Sequence, residues 1–102
     1  MTAELVENIE WDQCGTFFDV DGSNVKVYDG VIVLEKSIGT DGEVITEGEI
    51  GTVLFFSKSS QSLVELEICR NDDEMIFLII RGNSVRLHKT TEEKWPDKNV
   101  RN

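Results

Sequence analysis

Tight-turn dipeptides constrain this chain more than any other feature. Asp21-Gly22, Asp29-Gly30 and Gly82-Asn83, with the glycine-bearing loop IGTDGEV at residues 38–44, interrupt runs of apolar and β-branched residues. Asp-Gly and Gly-Asn pairs tolerate the positive φ that short hairpin turns require. Strands separated by such turns leave little room for helix, and the chain has one proline. GTFFDV, the turn DGSN and VKVY read as a hairpin. VIVLEK and IGTVLFF read as further strands, joined by the loop at 38–44.

The second half repeats the rhythm. LVELEIC alternates Val64, Leu66 and Ile68 against Glu65, Glu67 and Cys69, the mark of a strand with one dry face and one wet face. SKSSQS before it and NDDE after it are polar turns. MIFLII is apolar at every position, and SVRLH alternates again. The first ten residues predict a short helix with Thr2 as N-cap and Leu5, Val6 and Ile9 on one face. TTEEKWP predicts a helical turn closed by Pro96. No repeat is visible, and 102 residues make one domain. The fold class expected is all-β: a small SH3-like antiparallel barrel or curled sheet with short helical segments at the termini.

Charge narrows the functions. Ten basic against twenty acidic residues give 10 − 20 = −10. Residues 1–50 hold twelve acids and two lysines and carry the whole excess, while residues 51–102 balance eight against eight. Such a surface opposes direct nucleic-acid binding, which depends on neutralising phosphates. It suits solubility, or a basic protein partner. No apolar run approaches the roughly 20 residues that span a bilayer, and MTAELVENIEW lacks the charged and apolar regions of a signal peptide. A cytoplasmic location is expected. Cys14 and Cys69 then remain reduced thiols.

Motifs that suggest chemistry resolve into architecture. Gly48-Glu-Ile-Gly51 has the GXXG form of a backbone-clamping loop, yet it carries Glu47 and Glu49 where a phosphate needs donors and cations. A turn with positive φ at Gly48 and a bend or bulge at Gly51 explain it better. Asp19-Val-Asp21-Gly-Ser23 fails the calcium-loop pattern, whose sixth and twelfth positions are here Asn24 and Gly30. His88 is the one histidine, too few with two distant cysteines for a zinc site. No catalytic, cofactor or metal residue is assigned and no cofactor is expected. A pocket shared by His88 and a cysteine is the enzymatic or ligand-binding alternative.

Two strands, VLFF and MIFLII, lack a polar face, so something must cover a second apolar surface. Trp11, Phe55, Phe56, Phe77, Ile79 and Trp95 are the candidate interface residues, since aromatic and large apolar side chains anchor protein contacts. Core packing is the plainer reading for at least half of them. A homodimer is expected to supply the cover, with a C-terminal tail containing Trp95 as the intramolecular alternative.

With its strands placed, the chain resembles a family of small uncharacterised bacterial domains with an SH3-like barrel. VIVLEK, ITEGEIGTVLFF, LVELEI and FLIIRGNSVRL carry the resemblance over residues 25–88. The GxxGTV strand entry is also similar to SH3-like barrels of the nitrile hydratase β subunit and of a small nitrogen-fixation accessory protein. The resemblance implies a barrel core at 25–88, an N-terminal extension at 1–24 and a tail at 89–102, and no functional residue. The function expected is a non-catalytic protein-binding or regulatory module. An acidic, antitoxin-like or decoy inhibitor of a basic partner is the alternative.

Overall fold

The computed structural model describes residues 10–57, 62–71 and 74–91. Ten strands follow in chain order: β1 (Trp11–Asp12), β2 (Phe17–Phe18), β3 (Asn24–Val25), β4 (Gly30–Val33), β5 (Ser37–Ile38), β6 (Val44–Ile45), β7 (Ile50–Ser57), β8 (Leu63–Asn71), β9 (Glu74–Arg81) and β10 (Val85–Lys89). The main sheet runs β10-β4-β7-β8-β9, with β1 beside the second half of β7. Every ladder is antiparallel. A 3-10 turn, Gly82–Ser84, links β9 to β10. Among the described residues no ladder joins those two strands, so this all-β fold is a curled open sheet rather than a closed barrel.

Alternation decides what lies inside. Val64, Leu66 and Ile68 on β8 and Ile76, Leu78 and Ile80 on β9 face the core, joined by Val31, Val33, Val53, Phe56 and Val85 of the same sheet and by Phe17, Val25, Val27 and Ile45. Phe17 packs its ring against Phe56, centroids 5.6 Å apart. Phe17 also pairs with Val25 in the β2–β3 hairpin. The run VKVY is not a strand throughout: β3 ends at Val25, and Tyr28 takes φ +77° in the following turn. The helix expected over the first ten residues lies outside the described residues except at Glu10, which is not helical, and TTEEKWP lies outside them beyond Thr91.

A repeat that sequence does not reveal organises the first half. Residues 17–34 and 37–54 carry the same order of strands and turns at an offset of twenty. Gly22 and Gly42 share positive φ (81° and 94°), as do Tyr28 and Gly48 (77° and 100°). Gly22 N donates to Asp19 O at 3.1 Å, and Gly42 N to Gly39 O at 3.0 Å. The Asp29 carboxylate accepts from Lys26 N at 3.0 Å and the Glu49 carboxylate from Thr46 N at 2.9 Å. The two units face each other through the β4–β7 ladder about the Val31–Gly51 pair: Gly30 opposes Thr52 and Ile32 opposes Ile50. Tyr28 N donates to Val53 O and Gly48 N to Val33 O, both at 2.7 Å, as a local two-fold requires.

At that axis Gly51 is needed for close approach rather than for a bulge. A Cβ on it would stand 3.1 Å from Ile68 Cγ1 and 3.3 Å from Leu66 Cβ. The irregularity in β7 falls later, between Val53 and Phe55. That extra residue lets Val53 and Phe56 both point inward while Phe55 turns out.

The hairpin tips meet the two margins of the sheet. Val20 N donates to Val85 O at 3.1 Å, and the Asp19 carboxylate accepts Leu87 N at 2.7 Å, both on the outer edge of β10. Thr40 N donates to Phe77 O at 2.8 Å on the outer edge of β9. Gly39 fits there because a Cβ would lie 2.9 Å from Ile76 Cγ2.

Candidate protein-binding face

The side of the sheet opposite the core is built by the same alternation. On β7, β8 and β9 the register sets Phe55, Glu65 and Ile79 in one row, and Thr52, Glu67 and Phe77 in the next. Met75, opposite Cys69, extends the apolar bank of β9 and is 53% exposed. Trp11 stands opposite Ser57, two residues along β7 from Phe55, and so shares its side of the sheet. Trp11, Phe55, Phe77 and Ile79 are all half-buried. Phe56 does not belong with them: it is 0% exposed, because the bulge returns it to the core. Trp95 lies outside the described residues.

Sequence reasoning identified the aromatic members and missed Met75, Leu63 and Ile50, which lie on the same side by register. The signal was present in the strict alternation of β8, which fixes the outward set of both neighbours. Glu65 and Glu67, read only as the wet half of one strand, stand between the apolar residues of β7 and β9.

The remaining candidates serve the scaffold. Asp19 is 5% exposed. Its carboxylate accepts Asp21 N at 2.9 Å, Ser23 N at 2.8 Å and Leu87 N at 2.7 Å. Burial raises its pKa, but these three N–H groups and nearby Arg86 outweigh that and hold it below the usual aspartate value. Asp29, 2% exposed, takes Lys26 N, Thr91 N and the Thr91 hydroxyl. Glu49, its counterpart in the second unit, receives Arg70 Nε at 3.0 Å and Nη2 at 2.9 Å. The Arg70 side chain lowers the Glu49 pKa against a smaller opposing effect of burial, and Thr46 adds to the lowering. Arg70 also donates to Val44 O. All three carboxylates are thus occupied by the protein itself. Among the described residues no group of three or more potential metal ligands comes together.

His88 and Cys69 do not converge. They lie on β10 and β8, with β4 and β7 between them in the sheet. Cys14 is exposed between β1 and β2. An open hollow of about 270 Å³ at Thr16, Phe17, Phe18, Phe56, Ser57 and Ser62 contains none of the three. No helix among the described residues is long and apolar enough to cross a membrane. Comparison with protein-family models, with curated proteins and with solved structures returned no match.

Proposed function

We propose that this chain is a non-catalytic protein-binding module that works through the outer face of β7, β8 and β9. One observation carries the reading: Phe55, Phe77 and Ile79, with Trp11 beside them, stand on the solvent side of a sheet whose other side already holds a full core. Large apolar groups gathered on one wet face mark interfaces more often than scattered ones do. The strand order β10-β4-β7-β8-β9 and the 3-10 link before the last strand support placing the module among SH3-like folds.

The test is site-specific photocrosslinking in the native host. A benzophenone side chain at position 79 should give discrete adducts heavier than the 11.5 kDa chain. The same probe at Val44, exposed on β6, should not. Equal labelling from both positions, or none from 79, would reject the face.

Self-association is a second reading, favoured by the same apolar face and by the frequency of two-fold homodimers. Light scattering decides it: a mass that stays near 11.5 kDa up to high micromolar concentration removes the homodimer.

A further inference from the structure

The rows of the face are not uniformly apolar, and their order points to what they bind. Glu65 lies between Phe55 and Ile79, and Glu67 lies between Thr52 and Phe77. The two carboxylates are two residues apart on the middle strand, about 6.7 Å along it. Both are half-buried. Five carboxylates elsewhere on the described fold are engaged, Asp19 and Asp29 by backbone N–H groups, Glu49 by Arg70, Asp21 by Arg86 and Glu35 by Ser84, while Glu43 Oε1 is buried without a hydrogen bond away from this face. Glu65 and Glu67 make no hydrogen bond or ion pair with the described residues. Arg81 lies diagonal to Glu65 across β8 and β9, yet no ion pair joins them.

Resting on the binding-face reading above, we infer that the occupant is a cationic protein surface: one or two Lys or Arg side chains flanked by apolar residues. Any partner that covers Phe55, Phe77 and Ile79 also removes water from Glu65 and Glu67, and ionised groups are costly to bury without an opposite charge. A cation seated over β8 meets both carboxylates and comes within reach of the flanking phenyl faces. The chain's net charge of −10 attracts such a partner from a distance. A second copy fits poorly. Laid face to face about an axis through β8, it brings four carboxylates together, with the Arg81 of each copy at the end of β9 rather than over β8.

The probes are three synthetic peptides: acetyl-Val-Lys-Leu-Lys-Val-amide and its analogues with Gln or Glu in place of both lysines. Amide shifts of the ¹⁵N-labelled full chain are followed during titration at low and high salt. The lysine peptide should move the amides of Phe55, Glu65, Glu67, Phe77 and Ile79. It should bind several-fold to about tenfold more tightly than the glutamine peptide, since each partly exposed charge contact gives up to about fivefold. The glutamate peptide should be weakest. In the E65Q/E67Q double variant the advantage of lysine over glutamine should vanish. Equal binding of the lysine and glutamine peptides on this face overturns the cationic partner and leaves the binding face standing. Shifts confined to the acidic loop at 41–47 also overturn it. No shift on the face from any peptide at millimolar concentration overturns both.

Discussion

Replacing Asp19 with asparagine tests how the first hairpin is tied to the sheet. The carboxylate divides its work: one oxygen accepts Asp21 N and Ser23 N, and the other accepts Leu87 N on β10. Asparagine keeps a single acceptor. With its oxygen on the two-bond side, its NH₂ group opposes the Leu87 N–H, donor against donor; turned around, it loses two bonds for one. Losing a charge-assisted hydrogen bond and stranding its donor costs about 2–3 kcal/mol. A chain of this size has roughly 5–15 kcal/mol in total. With a urea slope near 1–1.5 kcal/mol/M, the midpoint should fall by about 2 M.

The pH dependence sharpens the test. The folded pKa of Asp19 lies below its unfolded value, so its contribution is complete above the unfolded pKa of about 4. It disappears as pH falls through the folded one. The difference between wild type and Asp19→Asn should therefore be full at pH 7 and shrink steadily below about pH 4, where a protonated aspartate resembles asparagine. Urea melts at pH 7, 5, 4 and 3 supply the curve. A difference below about 0.5 kcal/mol at pH 7, or one of constant size down to pH 3, would show that the carboxylate does not hold β10 as described.

Four other substitutions probe separate parts of the fold by the same melts. Phe56→Ala should cost about 3–5 kcal/mol and Phe55→Ala less than half of that, because one ring fills the core and the other lies on the face; equal costs would contradict the bulge. Gly51→Ala should cost about 1–3 kcal/mol by pressing β8 away from the Val31–Gly51 axis. Gly42→Ala has open space for its methyl and should cost only about 1–2 kcal/mol, from the positive φ alone. A salt titration of the Glu49→Gln variant should show weaker salt dependence than wild type, since Arg70 then lacks its charged partner.

Much of the strand pattern was legible in local chemistry. The turns at Asp21-Gly22 and Asp41-Gly42, the positive φ at Gly48 and the alternation of Val64, Leu66 and Ile68 each follow from what a residue can do alone, whereas Gly30 of Asp29-Gly30 opens β4 and the positive φ falls on Tyr28 instead. The role of Phe56 was not legible, because VLFF contains an extra residue whose effect on facing depends on its partner strand. The repeat was hidden for another reason. Between residues 17–34 and 37–54 only Asp21/Asp41, Gly22/Gly42, Val33/Val53 and Leu34/Leu54 are identical. The equivalent turn positions are Tyr28 and Gly48, and the equivalent carboxylates are Asp29 and Glu49. What recurs is a set of backbone angles and acceptor positions, which different side chains satisfy. The apolar face was half legible: composition marked its aromatics, but only pairing across three strands set Glu65 and Glu67 among them.

The hairpin tips at residues 19–20 and 39–40 decide how this sheet can grow. Unclaimed main-chain groups on a border strand recruit further strands, whether from a ligand or from a neighbouring copy. Here the chain has turned its own loops onto both borders, at Val85 and Leu87 on one and at Phe77 on the other. Strand addition at those places would first have to peel a loop away. Recognition is thereby directed from the rim, where backbone pairing accepts almost any sequence, to the broad side, where only side chains meet and selectivity can be written residue by residue.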